Sequence, residues 1–181
     1  MRIDGFNILA STFRFGETDA EQELHEIFDV LGDSFAEVQR TSVSGLLRCL
    51  THIDLFILGG MLSELLNEEP WRFRHVLRIL PIEVVTEAEI DIIRKSARKI
   101  SKRIPPNQTF RITVEKRHNS MKSMDLIRAI ASDIERKVNL SNPDWIVLVE
   151  LIQNVAGLSV IKPYQVFSSV VEMRKLGEKS I

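Results

Sequence analysis

The chain has 181 residues, of which 44% are hydrophobic and 27% charged, and its formal net charge is −1. This length predicts one or two domains, and the composition is typical of a soluble globular protein. The longest strongly apolar run, residues 55–62, is far shorter than the roughly 20 residues that cross a bilayer. Because the first residues also lack the pattern of a signal peptide, we expect a cytoplasmic protein. The single cysteine, Cys49, excludes an internal disulfide and a cysteine-based zinc site.

Charge is distributed unevenly along the chain. Residues 1–93 contain seven Lys and Arg against 17 Asp and Glu, a net charge of −10. Residues 94–137 contain 13 against four, a net charge of +9. This asymmetry predicts a polyanionic partner for the middle third of the chain. The alternative is that basic helices only balance acidic ones within the protein.

The first half of the chain predicts the order strand, helix, strand, strand, helix, strand. This βαββαβ order is the ferredoxin-like pattern. The acidic residues between 17 and 33 are interpreted as a solvated helix face, and Asp54 as the N-cap of the second helix. Gly59 and Gly60 each weaken that helix by about 1 kcal/mol, which indicates close packing or a later helix start. The elements are predicted at residues 6–12, 18–31, 36–40, 46–50 and 54–67, with the last strand inside 73–85.

A third helix is predicted to begin at a capping box, Thr86 to Glu89, and to end near residue 104. Its apolar stripe is Ile90, Ile93, Ala97, Ile100 and Ile104. This helix is rich in Lys and Arg toward its C-terminus. Cations there interact favourably with the helix dipole, which explains some of these residues. It does not explain why six cations are used when, after Asp91, no acidic partner lies three or four residues away. These cations are Arg94, Lys95, Arg98, Lys99, Lys102 and Arg103.

The segment from residue 109 onward predicts a strand, a basic turn, a helix and a further strand. Strict alternation over residues 109–116 indicates a half-buried strand. It ends in Lys116-Arg117-His118, here named the basic corner. A helix follows with Ser120 or Ser123 as N-cap and a predicted stripe of Met124, Ile127, Ala131, Ile134 and Val138. Strands are then predicted at 145–152 and 158–161, and a C-terminal helix begins at Pro163.

Motifs for catalysis or for cofactor binding are absent from the sequence. The four histidines, His25, His52, His75 and His118, form no metal-ligand spacing with each other or with Cys49. No glycine-rich phosphate loop and no nucleophile elbow occurs. The sequence therefore favours a binding module without metal or cofactor over an enzyme.

Four stretches of the sequence together resemble one protein family. They are the basic corner, Val138 to Asp144 (VNLSNPD), Glu69 to Phe73 (EPWRF) and Arg78 to Glu83 (RILPIE). This pattern is similar to that of small proteins with a THUMP domain, and it extends over about residues 6–161. The resemblance implies an α+β chain in which an N-terminal ferredoxin-like domain precedes an α/β THUMP domain. The implied limits are 1–84 for the first domain, 85–162 for the THUMP domain, and 163–181 for a C-terminal helix or tail.

The resemblance also implies a function. In multidomain relatives the THUMP domain delivers tRNA to a fused catalytic domain, and no part of this sequence remains for such a domain. The chain most resembles stand-alone members that act as the tRNA-binding adaptor for the acetyltransferase that makes N4-acetylcytidine in tRNA. Because RNA recognition usually targets unpaired ends and loops, we expect the contact to be with the acceptor end of tRNA. The implied role is a non-catalytic adaptor whose partner supplies the acetyl-CoA chemistry. The alternative is a protein-interaction scaffold that uses the acidic N-terminal domain and does not contact RNA.

The predicted RNA-binding residues combine this resemblance with the cation pattern. Turn residues Asn142-Pro143-Asp144 are interpreted as structural, since Asn and Asp bond to the backbone around Pro, and Trp145 is expected in the core. Trp71 and Phe73 are left open as stacking or docking residues. The predicted contacts with RNA are Lys116, Arg117, His118, Lys122, Arg128, Lys99, Lys102, Arg103 and Arg111.

Overall fold

The computed structural model describes residues 5–179, and these fold into two compact units, each with its own sheet and core. One unit contains Gly5–Pro81 together with the C-terminal segment that begins at Tyr164. The other contains Ile82–Pro163. The units therefore divide close to the predicted domain limits, and the predicted tail lies within the first unit. The ends of the predicted domains, residues 1–4 and 180–181, lie outside the described residues.

The first unit follows the predicted element order. Its β1 pairs with β3 and with β4, and β2 pairs with β3, all antiparallel, so the strands lie in the order β4-β1-β3-β2. The prediction of strand, helix, strand, strand, helix, strand is confirmed for this half. The elements are β1 (Ile8–Thr12), α1 (Glu17–Val30), β2 (Glu37–Arg40), β3 (Leu46–Leu50), α2 (Leu55–Glu68) and β4 (Val76–Pro81).

Helix α2 begins and packs as its sequence predicts. The Asp54 carboxylate accepts a hydrogen bond from the backbone N–H of Phe56 at 2.8 Å, which confirms the N-cap. Gly59 is buried, and a Cβ added there would lie 2.9 Å from the carbonyl oxygen of Gln165. A Cβ at Gly60 would meet nothing within 4 Å. Close packing therefore requires glycine at the first of the two positions only.

The acidic residues between 17 and 33 are not all solvated on a helix face, which corrects the prediction for Glu23 on α1 and for Asp33, which follows the helix. Glu23 is buried, and its carboxylate accepts the backbone N–H groups of Arg74, His75 and Val76. Asp33 is also buried, and it accepts bonds from the Thr51 hydroxyl at 2.6 Å and from a neighbouring backbone N–H. Burial opposes ionisation of Asp33, but these hydrogen bonds outweigh it and lower the pKa of the carboxyl.

The second unit contains a five-stranded mixed sheet. Its strand order is β5-β9-β8-β6-β7, in which β6 runs parallel to β8 and β7 while the other pairs are antiparallel. Strand β8 is buried on both faces, as its apolar sequence predicts. The elements are β5 (Val84–Glu87), α3 (Ile90–Ile100), β6 (Thr109–Arg117), α4 (Ser123–Ala131), β7 (Lys137–Val138), β8 (Trp145–Ile152) and β9 (Val155–Ile161).

Three predictions about this unit were wrong in detail. Thr86 lies in β5, opposite Ala156 of β9, so the predicted capping box does not form. Helix α3 instead begins at Ile90, after Glu89, whose side chain makes no capping bond. Strand β9 begins three residues before its predicted start, because a positive φ of 53° at Gln153 completes a two-residue turn.

The buried stripe of α4 also differs from the prediction. Leu126 and Ile130 are fully buried, whereas Met124 is 55% exposed and Val138 is 51% exposed. The helix begins at Ser123 with Lys122 in the N-cap position, so neither predicted serine caps it. The predicted stripe contains Ile127 and Ala131, and the observed one contains Leu126 and Ile130. Both pairs have the same four-residue spacing, so the sequence alone did not distinguish the two stripes.

The C-terminal segment adds to the sheet of the first unit. A 3₁₀ turn (Pro163–Gln165) leads into β10 (Phe167–Ser168), which pairs antiparallel with β4. Helix α5 (Ser169–Lys179) follows, so it begins six residues after its predicted start at Pro163 because the short strand intervenes. Among residues 5–179, no helix combines the length and apolar character needed to cross a membrane.

Candidate nucleic-acid interface

The turn after β6 places the basic corner at one end of the second unit's sheet. His118 has a φ of 52°, which turns the chain out of the strand. The Asn119 side chain then accepts a bond from the backbone N–H of Met121 at 2.8 Å and donates to the carbonyl of Gln153. These two bonds tie the turn to the neighbouring hairpin, so the turn is held in one conformation.

Lys116 and Lys122 present their charges to solvent at this turn. Both are exposed, and the Lys116 ammonium donates to the carbonyl oxygen of Met121 at 3.0 Å. That bond uses one of the three ammonium donors and does not neutralise the charge. Neither lysine forms an ion pair with any residue in the range 5–179. His118 is also exposed, so the turn after β6 offers the side chains of Lys116, His118 and Lys122 to a ligand.

Arg117, the middle residue of the basic corner, points into the protein instead of toward solvent. Its Nη1 donates to Glu150, whose side chain is completely buried, and its Nη2 donates to Glu115 at 3.3 Å. A buried carboxylate requires a partner that compensates its charge. Arg117 therefore has a structural role, and its charge is not presented to solvent like those of the two lysines.

Arg128 lies exposed on α4, the helix that follows the turn. Within the described part of the chain it forms no ion pair. Its exposure agrees with the prediction, and it lies six residues after Lys122, with the exposed Asp125 between them. These residues thus share one turn and the helix after it.

The remaining predicted cations lie toward the other end of the sheet. Arg103 donates to Glu83 and to the carbonyl oxygen of Val160, which pairs with Val147 of β8. Arg117 lies opposite Ile152 of β8, five residues further along, a distance of roughly 16 Å at about 3.3 Å per residue.

Two exposed lysines, Lys99 and Lys102, lie on α3 and on the 3₁₀ turn that contains Arg103. Arg111, opposite Ile146, donates to the Leu140 carbonyl at 3.2 Å. The structure therefore does not bring this second group of cations together with the basic corner.

An ion pair that the sequence did not reveal joins α3 to the end of α4. Arg94 donates two hydrogen bonds to Asp133, both at 2.7 Å. Through these bonds Arg94 lowers the pKa of Asp133, and Asp133 raises the pKa of Arg94. Helical spacing reveals partners three or four residues away on the same helix, whereas this partner lies 39 residues away.

The turn at Asn142-Pro143-Asp144 holds two strands together. Asp144 accepts bonds from the backbone N–H and the hydroxyl of Thr109, so the structural interpretation is confirmed for this residue. Trp145 packs against the core of the unit, as predicted, and Lys162 lies 4.0 Å from the centre of its ring. This cation–π contact stabilises the start of β8.

Trp71 and Phe73, to which the sequence assigned no definite role, have different environments. Phe73 is buried and its ring centre lies 5.2 Å from that of Phe167, so it belongs to the core of the first unit. Trp71 is 59% exposed. Residues 5–179 contain no group of three or more His, Cys, Asp or Glu that could hold a metal ion.

Comparison with known proteins identifies the second unit. Residues 87–161 match the model of the THUMP domain, so a THUMP domain is present there. Over 120 residues the chain is 33% identical to THUMP domain-containing protein 1 of Bos taurus, and the match covers 61% of this chain and 34% of that protein. The chain thus spans about a third of the length of the curated relatives that it matches.

Solved structures share the fold over most of the chain. PH1313 from Pyrococcus horikoshii Ot3 aligns with a TM-score of 0.64 and 15% identity, covering 87% of this chain and 55% of that chain. A 4-thiouridine synthetase in complex with RNA and ATP aligns with a TM-score of 0.54 and 13% identity, covering 87% and 42%. At these identities the likeness concerns the fold alone.

Proposed function

We propose that this chain, which contains a THUMP domain over residues 87–161, is a non-catalytic tRNA-binding protein that presents tRNA to a separate modifying enzyme. The observation that carries the proposal is the ordered turn after β6, which presents Lys116, His118 and Lys122 together to solvent. Arg128 adds a further exposed cation on α4. An ordered set of cations loses little conformational freedom when it binds, which favours contact with a phosphate backbone.

The cationic side chains at this turn are better suited to contact RNA phosphates than to distinguish one base from another. Lysine ammonium groups act as point charges toward phosphate oxygens, and their binding releases counterions. Selectivity then comes from the shape of the RNA and from its unpaired 3′ end, because proteins usually recognise RNA at single-stranded segments. We therefore propose that Lys116, His118 and Lys122, at the turn after β6, contact the acceptor end of tRNA.

We propose N4-acetylcytidine in tRNA as the product, with an RNA acetyltransferase as the partner that supplies acetyl-CoA. The chain itself then uses no cofactor and works in the cytoplasm. For the first unit we propose a ferredoxin-like domain, supported by its antiparallel order β4-β1-β3-β2 with a helix after β1 and after β3.

The test compares intact tRNA with tRNA that lacks its single-stranded 3′ end, in mobility-shift assays at two salt concentrations. We expect tighter binding of the intact tRNA and a clear loss of affinity as salt rises. Equal binding of both RNAs would remove the acceptor end from the proposal. No binding to either RNA at low salt would overturn tRNA recognition by this chain alone.

A second candidate function rests on the first unit. Its loop after β1 exposes Phe13 by 58% and Phe15 by 83%, and Phe15 has a φ of 66°, which is strained for a bulky residue. The surrounding half of the chain is strongly acidic. These features favour a protein partner with an apolar pocket and a basic rim. Under this alternative, replacing both phenylalanines with serine abolishes partner capture, whereas replacing Lys116 and Lys122 does not.

A further inference from the structure

Strand β6 has one incompletely covered edge. On one side it pairs with β8 from Phe110 to Arg117, but on the other side β7 pairs only with Thr109 and Phe110. Within residues 5–179, no other strand pairs along the rest of this edge. The exposure of the side chains agrees: residues 111–117 are half-buried or exposed, whereas residues 146–151 of β8 are buried.

The direction of the backbone groups follows from two hydrogen bonds. The Phe110 carbonyl accepts from Asn139 on the β7 side, and the Arg117 carbonyl accepts from Gln153 on the β8 side. Successive residues of a strand direct their N–H and C=O groups to alternate sides. The even-numbered residues Ile112 and Val114 therefore direct both groups toward the open edge.

We propose that this edge pairs antiparallel with the same edge of a second copy of the chain, about a two-fold axis at Thr113. In that register Ile112 lies opposite Val114 of the second copy, and each pair exchanges two backbone hydrogen bonds. Thr113 lies opposite its own copy at a non-hydrogen-bonded position. An isologous contact of this kind closes on itself and gives a dimer rather than a filament.

The side chains of the segment RITVE are self-complementary in this register. Arg111, which donates to the Leu140 carbonyl, lies opposite Glu115 of the second copy, which accepts from Arg117 of its own chain, so unlike charges face each other on both sides of the axis. On the other face, branched apolar side chains lie opposite each other, at Ile112 and Val114. A shift of the axis to Val114 would place Arg111 opposite Arg117, which like charges disfavour. A shift to Ile112 would require pairing at Phe110, whose edge β7 already occupies. The charges and β7 together favour the register about Thr113 and a second copy as the occupant.

The same strand limits the size of the contact. β7 occupies the edge beside Phe110, so the paired segment extends only over residues 111–115. Four backbone hydrogen bonds and two charge pairs form a small interface, typical of a weak and transient dimer. We therefore expect dimerisation that depends on protein concentration.

Thr113→Cys is the first test, because a non-hydrogen-bonded pair places its two Cα atoms about 4.5 Å apart, within the range of a disulfide. The natural Cys49 is 1% exposed and burial raises the pKa of its thiol, so it does not compete for cross-linking. Under mild oxidation we expect the full-length variant, 20.7 kDa as a monomer, to become a covalent dimer. Ser120→Cys, exposed but away from the axis, is the matched control and should remain monomeric.

Charge exchange provides an independent test that needs no cysteine. Arg111→Glu should reduce the dimer fraction in sedimentation velocity at least several-fold, and adding Glu115→Arg to the same chain should restore it. Cross-linking of Thr113→Cys at the rate of the Ser120→Cys control would overturn the proposal. Wild-type chain that stays monomeric at every concentration up to the millimolar range would do the same.

Discussion

Asp144 and Thr109 join the starts of two neighbouring strands through three hydrogen bonds. The carboxylate accepts from the Thr109 backbone N–H at 2.7 Å and from its hydroxyl at 2.8 Å, and the hydroxyl accepts from the Asp144 N–H at 3.2 Å. The bond from the Thr109 N–H, followed by the bond from its hydroxyl, lowers the pKa of Asp144. This pair thus fixes where β6 and β8 begin.

We expect Asp144→Asn to lower the melting temperature at neutral pH. The folded state lowers the pKa of Asp144, so the carboxylate stabilises the fold above its unfolded pKa of about 3.9. That contribution is lost as the pH falls through the folded pKa. Melting curves by circular dichroism should therefore differ at pH 7 and converge below about pH 4. Thr109→Val, which keeps the backbone N–H, should have a smaller effect, and a gap independent of pH would contradict the explanation.

Local sequence signals predicted the elements that depend on nearby residues. The cap at Asp54, the strand Leu46–Leu50 and the buried β8 occur where the sequence placed them. The capping box at Thr86 failed because β9 offers backbone pairing that the local sequence does not contain.

The sequence could not predict the partners of the charged residues for the same reason: these partners are distant along the chain. Asp133, Glu83 and Glu150, which accept from Arg94, Arg103 and Arg117, lie between 20 and 39 residues away from them along the chain. One signal was present: Glu150 is the single charge inside the apolar run WIVLVELI, and a charge in a buried strand requires a cation.

Arg117→Ala is expected to destabilise the protein rather than to act only on RNA. It leaves Glu150 buried without its guanidinium partner, and loss of one member of a buried ion pair typically costs about 3–5 kcal/mol. Lys116→Ala, on the exposed side of the same corner, should change the free energy of unfolding by less than about 0.5 kcal/mol. Urea denaturation measures both.

The double variant Arg117→Met with Glu150→Met separates charge compensation from packing. An apolar pair of similar volume should recover most of the lost stability, since replacing both members of a buried pair is often neutral. If Arg117→Ala is as stable as the natural chain, the buried-pair explanation is wrong.

Lys116 and Lys122 should contribute more to tRNA binding than Lys99 and Lys102. Each pair consists of two exposed lysines, but the pairs belong to the two cation groups that lie apart along the sheet. Replacing a phosphate-binding lysine lowers the salt dependence of binding by about one charge. We expect Lys116→Ala with Lys122→Ala to reduce the slope of log K against log salt by about two.

The Lys99→Ala, Lys102→Ala variant controls for the overall loss of positive charge. Because it removes the same two charges, a general field effect would lower the affinity equally in both variants. We expect its slope to fall by less than about one. Equal losses in the two variants would argue against a localised site at the turn after β6.

Gly59→Ala and Gly60→Ala should have opposite effects on stability. Both residues lie within α2, where alanine is favoured over glycine by about 0.5–1 kcal/mol. At Gly60 the new methyl group meets open space, so the variant should gain roughly that amount. At Gly59 the methyl group would lie 2.9 Å from the Gln165 carbonyl oxygen and 3.0 Å from its Cα. Backbone cannot move aside as a flexible side chain does, and overpacking typically costs about 1–3 kcal/mol.

The same substitution tests how the C-terminal segment is held to the first unit. Gln165 also donates from its side-chain amide to the Phe56 carbonyl at 2.7 Å, so a displaced segment loses this bond as well. In Gly59→Ala we therefore expect faster amide hydrogen exchange over residues 164–179, beyond the fall in unfolding free energy. Gly60→Ala should leave that exchange unchanged, because its methyl group lies away from the segment. Equal exchange in both variants would mean that the segment is held by β10 and α5 without the contact at Gly59.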